Sequence, residues 1–301
     1  MNILEKIEIL ICKKMRPVRD FYYALPIIRE LYEANILAKM QLVETLKLSH
    51  PHFKDPRRLL QYGTQYGSQN FEDGMIEEVF RRISCQDRTF VEIGAGNGLE
   101  NNTVSLLAAG WRGWWIEGDP SNCANIRTEL AKIPAVRKRL VLEECLVSPS
   151  DITELFRRLA IPQEVDIFSL DIDMDTYHIW AALTDFRPRL VVVEYNGGIS
   201  PSVEWISPWK PGRSFDKSQA FGASLKAFEV LGRKHGYSLV GCDLTGVNAF
   251  FVRNDLVADR FAEPFTSENH YEPIRYRLTV HYGHQPVIFS ESHDPKLYPY
   301  S

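Results

Sequence analysis

Thr89-Phe-Val-Glu-Ile-Gly-Ala-Gly-Asn-Gly-Leu-Glu-Asn-Asn-Thr103 is the stretch that decides the fold. It opens as an apolar strand and turns abruptly glycine-rich, with Gly94, Gly96 and Gly98 alternating. Helical spacing follows in Val104, Leu106, Leu107 and Ala109. A strand, a glycine turn and a helix start make a corner where backbone N–H groups approach a ligand closely. Glycine suits it, because it lacks a Cβ and tolerates the φ values such turns need. Dinucleotide folds carry G-x-G-x-x-G there and aim a helix N-terminus at a pyrophosphate. Here the spacing is Glu92-x-Gly94-x-Gly96-x-Gly98, with an acid just before the turn. An acid in that place suits a ligand whose end carries an ammonium group.

Downstream, strands and helices alternate. Strands are expected at 89–94, 114–117, 140–147, 165–171 and 190–194, with helices at 101–109, 121–132, 151–159 and 175–184 between them. This alternation implies a mostly parallel sheet covered by helices on both faces. A loop at 197–221, rich in glycine and proline and carrying Trp205 and Trp209, breaks the rhythm. So long a loop inside a domain is usually functional. A helix at 222–235 and strands at 237–242 and 248–252 follow, the last two as an antiparallel edge pair. The expected class is α/β: a Rossmann-like, doubly wound, mostly parallel seven-stranded sheet with an antiparallel edge strand, plus N-terminal helices. Three regions result: a helical appendage at 1–67, a ligand-binding domain at 68–259, and a tail at 260–301 that packs on it.

Upstream, residues 1–15 read as an amphipathic helix, and a second helix runs through Leu31, Leu37, Met40 and Leu46. These helices could cover the site, form a homodimer contact or pack on the sheet. Ser68-Gln-Asn-Phe-Glu-Asp-Gly74 then opens a helix carrying Met75, Ile76, Val79 and Phe80. Its polar residues are expected as caps, although Gln69 or Glu72 could instead reach the ligand.

Composition narrows the class. The 301 residues carry a net charge of −4, 45% hydrophobic and 25% charged residues, as in an ordinary globular protein. No long basic run points to nucleic acid, and no run is long and apolar enough to span a bilayer. Five cysteines, widely spaced and without C-x-x-C, fit reduced thiols in a cytoplasmic protein. No signal peptide is legible in the first residues.

In such a sheet the chemistry sits at the carboxyl ends of the strands. Glu117 ends strand two about twenty residues beyond the turn, where an acid hydrogen-bonds ribose hydroxyls. Asp119, before Pro120, reads as a helix cap. Strand four ends in Asp171-Ile-Asp173-Met-Asp175-Thr-Tyr-His178, and strand five in Glu194-Tyr-Asn196. Close carboxylates repel unless a divalent cation, an ammonium or a basic substrate group offsets them. Asp171, Asp173, Glu194 and Asn196 could complete a hard-metal site for Mg²⁺ or Mn²⁺. His178 could act as a base, or pack on its helix beside Trp180.

At these residues the chain resembles class I S-adenosylmethionine-dependent methyltransferases of the FkbM-like kind. The likeness runs through Ser68–Gly74, Phe90–Thr103, Gly110-Trp-Arg-Gly-Trp-Trp-Ile-Glu-Gly118, Asp171-Ile-Asp173 with Tyr177–Trp180, and Val191-Val-Val-Glu-Tyr-Asn196. The acid-rich turn also resembles metal-dependent sugar O-methyltransferases. Met174 stands where similar sequences carry glycine and Thr176 where they carry aspartate, so Asp171 and Asp173 are the positions that transfer. The resemblance implies a cofactor across Gly94, Gly96 and Gly98, with Gln69, Glu72, Glu92, Asn102 and Asp171 at its amino-acid end. Glu117 and Gly118 would hold the ribose, and Glu144 and Cys145 the adenine. Asp171, Asp173 or His178 would serve catalysis. The acceptor would be a hydroxyl of a sugar, nucleotide-sugar or glycan precursor. The alternatives are N-methylation, O-methylation of another small metabolite, a nicotinamide oxidoreductase, and an inactive cofactor-binding module.

Overall fold

The computed structural model describes residues 26–212 and 220–278, in two compact units, 26–50 and 51–278. The helix expected at 1–15, Cys12, part of the loop at 213–219, and His281 and His284 lie outside the described residues. The first unit is one helix, α1 (Pro26–Ser49). It carries Arg29–Glu33 and Lys47–Glu44 pairs, each at 2.8 Å and one turn apart. Such exposed pairs are worth roughly 0.2–0.5 kcal/mol each.

The second unit begins its regular structure with α2 (Glu72–Ile83). Then follow β1 (Thr89–Ile93), α3 (Val104–Ala108), β2 (Arg112–Glu117), α4 (Pro120–Ala131), α5 (Pro134–Arg137) and β3 (Leu140–Glu144). Next come α6 (Ile152–Arg158), β4 (Ile167–Leu170), α7 (Thr176–Ala182), β5 (Leu190–Glu194) and α8 (Leu225–His235). The described chain ends with β6 (Tyr237–Cys242), β7 (Asn248–Arg253), α9 (Asn254–Val257) and α10 (Ser267–His270). The expected βα alternation is present. The short α5 was not expected, and α3 starts three residues late because Asn101, Asn102 and Thr103 are spent on a side-chain network described below.

All seven strands form one sheet in the order β3-β2-β1-β4-β5-β7-β6. β1 to β5 are parallel, and β7 runs antiparallel to both of its neighbours. This is the Rossmann-like, doubly wound sheet the sequence implies, with β6 and β7 as the antiparallel pair at one end. The central strands are buried on both faces, as parallel strands between helices must be. Phe90, Ile167, Val192 and Phe250 pack with Met75 and Val79 of α2, Leu107 of α3 and Ile126 of α4. Val91, Phe168, Val193 and Phe251 face Phe156 of α6, Trp180 of α7 and Phe228 of α8 on the other side. The strand order reverses between β1 and β4, which opens a crevice at their carboxyl ends. Among the described residues no helix is long and apolar enough to cross a membrane.

Candidate active site

The crevice is built by the glycine turn after β1. Asp171 N–H donates to the Ile93 carbonyl at 3.1 Å, and Gly94 N–H to the Ile116 carbonyl at 2.9 Å. These bonds bring the ends of β1, β2 and β4 level. Gly94 and Gly96 sit at φ +87° and +58°. A Cβ on Gly94 would lie 1.8 Å from the Asp171 carbonyl oxygen, whereas one on Gly96 would meet nothing within 4 Å. Gly94 therefore lets two strand ends touch, and Gly96 faces open space. Gly98 does neither, because a Cβ there would lie 2.7 Å from Ile126. It closes the turn onto α4 and does not line the crevice.

Side chains clamp the turn from both sides. Glu117 Oε2 accepts the Gly96 N–H at 2.7 Å, and Oε1 accepts the Asp119 N–H at 2.8 Å. Glu92 Oε1 accepts the Asn102 N–H at 2.9 Å, and Oε2 accepts the Thr103 hydroxyl at 2.5 Å and its N–H at 3.2 Å. Burial pushes the Glu92 carboxyl up to about 7, against those hydrogen bonds. Both Glu92 oxygens are thus committed to the start of α3. This corrects the expectation that Glu92 offers a free carboxylate to a ligand ammonium. Asp119 is the cap the sequence implies, accepting Ser121 N–H at 2.7 Å.

Asp73, which the sequence left as a plain cap, organises the third wall. Its Oδ2 gathers the N–H groups of Tyr66, Gly67 and Ser68 at 2.7–2.8 Å, and its Oδ1 accepts the Ser105 hydroxyl at 2.7 Å. That ties the loop before α2 to α3 and places Gln69 and Asn70 at the crevice.

Two cavities flank the turn and share Gly94, Gly96 and Asp171. The larger, about 780 Å³, runs from Glu117, Gly118 and Asp119 past Cys145 and Leu146 to Asp171, Asp173 and Met174. The smaller, about 60 Å³, is walled by Gln69, Glu72, Glu92, Glu100, Asn102 and Asn248. Glu144 is not brought to either, since it is exposed and pairs with Arg127 at 2.6 Å. Asn248 on β7 was missed. It lies 176 residues from its partner Glu72, and no sequence pattern links them.

The β4–β5 ends sort the expected catalytic and metal residues. Burial raises the Asp171 carboxyl to about 6, and Asp171 lines both cavities. Asp173 takes φ +56°, a costly conformation for aspartate, and its backbone N–H serves both Asp171 and Glu194. Burial first, then the charges of Asp171 and Asp173, drives the Glu194 carboxyl well above its ordinary range, and it hydrogen-bonds Asp171. Asn196 is 1% exposed, and its amide donates to the Phe221 carbonyl at 3.1 Å and accepts the Gly198 N–H at 3.1 Å. Neither Glu194 nor Asn196 lines either of these two cavities. Nor do Asp171, Asp173 and Glu194 bring three ligand atoms within 4.8 Å of one another. Among the described residues the three acids therefore do not gather into one three-carboxylate cluster, and Asn196 is turned to Phe221 and Gly198. His178 is corrected too: its Nε2 lies 2.7 Å from the Ser207 carbonyl, so it holds the loop after β5 and does not line the crevice.

A strap formed by the tail crosses the β5–β7 end. Tyr195 and Tyr271 donate their hydroxyls to the carbonyls of Glu272 at 2.7 Å and Gly197 at 2.6 Å. Arg275 Nη1 donates to the Leu244 carbonyl at 2.6 Å. Tyr276, half exposed, is pushed up to about 12 by burial and then by the charges of Glu194, Asp243, Asp171 and Asp173.

No family model and no curated protein matches the sequence. Among solved structures, the methyltransferase domain of bacterial CtHen1 is similar over 60% of this chain and 95% of its own, at 17% identity and a TM-score of 0.39. An O-methyltransferase family protein from Burkholderia thailandensis matches 59% of this chain and 54% of its own, at 11% identity and a TM-score of 0.38. The glycopeptide N-methyltransferase MtfA, complexed with S-adenosylmethionine, matches 67% and 97%, at 15% identity and a TM-score of 0.37. The chemistry of this chain has to be read from its own residues.

Proposed function

We propose that this chain is a methyltransferase that uses S-adenosylmethionine, of the FkbM-like kind, and methylates a hydroxyl of a sugar, nucleotide-sugar or glycan precursor. One observation carries the reading: the Gly94–Gly96 turn stands between a long cleft ending at Glu117 and a small polar pocket, with Asp171 lining both. That division suits a ligand with a nucleoside at one end, an amino acid at the other and its reactive atom between. The residues present fit it. Gly96 leaves room where a side chain would intrude, and Glu117 keeps lone pairs for ribose hydroxyls beyond its two backbone bonds.

When bound, the cofactor supplies an electrophilic methyl group. The chain supplies position and a proton acceptor. In-line transfer gains most from holding the reacting atoms in register. Asp171, whose carboxyl titrates at about 6, is ionised at neutral pH and can take the proton of an acceptor hydroxyl. The Asp173 N–H and Glu194 hold that carboxylate in place. No step needs a metal, and treatment with EDTA is expected to leave turnover unchanged. N-methylation is the second reading. It is favoured by the larger cleft, whose described lining includes Glu117, Asp119, Asp171, Asp173 and Asp175 and no Lys or Arg. Homodimer formation and a cytoplasmic setting complete the proposal.

The test is thermal stability with S-adenosylhomocysteine and NAD⁺ side by side, with and without Mg²⁺. A ligand that binds the folded state raises the melting temperature by mass action. A shift with S-adenosylhomocysteine alone supports the reading. A shift with NAD⁺ alone overturns it.

A further inference from the structure

Among the described lining of the small pocket behind the glycine turn, Asn248 Oδ1 is the buried side-chain atom without a partner. The other buried side chains of the wall are satisfied. Asn101 Nδ2 donates to the Ala95 carbonyl at 3.2 Å, and its Oδ1 accepts the Val104 N–H at 2.8 Å. Asn102 Nδ2 donates to the Ser169 hydroxyl at 3.0 Å. Both Glu92 oxygens are occupied. Glu72 Oε2 accepts the Asn70 N–H at 2.6 Å, and its Oε1 accepts Asn248 Nδ2 at 2.6 Å.

Asn248 is 2% exposed, yet its Oδ1 has no partner. A buried carbonyl-type oxygen left unpaired costs about 1–3 kcal/mol, so its persistence asks for a reason. Its side chain is held by the Nδ2 bond to Glu72, and its backbone on both sides. Its backbone N–H is held by Asp243 Oδ2, and its carbonyl accepts the Asp243 N–H at 3.0 Å. Asp243 is itself fixed by the N–H groups of Thr245 and Val247. The antiparallel strand β7 thus presents one rigid, unsatisfied acceptor at a pocket already crowded with carboxylates.

The geometry points to Asn248 as the residue that reads the ammonium of the cofactor's amino-acid end, accepting one of its N–H bonds through Oδ1. This assignment rests on the proposed methyltransferase reading. The pocket, about 60 Å³, exceeds the ~10–15 Å³ that a single water needs, and it takes a group larger than water. An ammonium brings three N–H donors to a wall that holds this free acceptor and the carboxylates of Glu72, Glu92 and Asp171. Burial, and then the charge of Asp243, push the Glu72 carboxyl up to about 8, and an arriving cation favours its ionised form, which accepts from Asn248 Nδ2 and leaves Oδ1 as the free atom. Glu92, which the sequence nominated for this task, is spent on α3. The contact comes from the far end of the chain.

The experiment is calorimetric titration of the wild type, Asn248→Ala and Asn248→Asp with two ligands. S-adenosylhomocysteine carries the amino-acid end, and 5′-methylthioadenosine lacks it. Asn248→Ala is expected to lose about tenfold in affinity for S-adenosylhomocysteine, ~1.4 kcal/mol, and to keep its affinity for 5′-methylthioadenosine. The second ligand doubles as the control that the variant folds. Asn248→Asp keeps an acceptor but loses the Nδ2 donor that Glu72 Oε1 accepts, and it is expected to fall between the wild type and Asn248→Ala for S-adenosylhomocysteine. Equal losses for both ligands in Asn248→Ala, or no loss for either, overturns the assignment while leaving the methyltransferase reading intact. A wild type that binds neither ligand refutes the methyltransferase reading and the assignment with it.

Discussion

Gly94 and Gly96 stand two residues apart in one turn, both at positive φ, yet substituting them should have opposite consequences. An alanine in the left-handed region costs roughly 1–2 kcal/mol at either position. At Gly94 the new Cβ would also lie 1.8 Å from the Asp171 carbonyl oxygen and 2.9 Å from its carbon, so the β4 end must move. Forcing a methyl into packed backbone adds about 1–3 kcal/mol, for a total of roughly 2–5 kcal/mol. Against a typical stability of about 5–15 kcal/mol, that is a large fraction. At Gly96 the Cβ meets nothing, so only the backbone cost applies, but the methyl projects where the two cavities join. Denaturant unfolding of both variants, paired with S-adenosylhomocysteine titration, separates the effects. Gly94→Ala should lose roughly 2–5 kcal/mol of stability. Gly96→Ala should lose only the roughly 1–2 kcal/mol backbone cost in stability and at least about tenfold in affinity, ~1.4 kcal/mol. A Gly96→Ala protein that binds like wild type would refute the placement of the ligand on this turn. Equal stability of the two variants would refute the packing argument.

Three further expectations can be checked with the same preparations. Glu92 has its folded pKa raised by burial from 4.5 to about 7, so its contribution to stability is full below about pH 4.5 and is lost as pH rises through 7. The shift corresponds to about 3 kcal/mol, and Glu92→Gln should flatten the stability profile across that window in urea melts. Asp171→Asn should lower turnover by about 10²–10⁴-fold, the usual worth of a general base, with little change in melting temperature; unchanged turnover removes Asp171 from the chemistry. His178→Phe should cost about 1 kcal/mol for the lost bond to the Ser207 carbonyl and leave turnover within about twofold. A large rate loss that tracks pH would return His178 to the site.

The strand, turn and helix around Glu92 to Thr103 were legible because their signals are local. Alternating apolar residues, glycines at fixed spacing and a capping aspartate each act over a few residues. Glu117 was legible for the same reason, since a strand end at that distance from the turn must lie beside it. Asp73, Asn196 and His178 were not. Each is a polar residue at an element's start or end, and the sequence cannot say whether its side chain faces a cleft or a neighbour's backbone. Asp73 collects N–H groups from a loop five to seven residues earlier, and Asn196 is consumed by Phe221 and Gly198.

The order of apolar strands and helices, the glycine turn and the acids at strand ends belong to the sequence by itself. They fix a doubly wound sheet and the edge that carries the crevice, because hydrophobic period and backbone freedom are properties of adjacent residues. Which acids remain free was decided only by the tertiary structure. Burial and register join Glu72 to Asn248 and Asp171 to Glu194 across the sheet. A carboxylate's chemistry depends on what lies within a few ångströms, and that is set by packing between segments far apart in the chain.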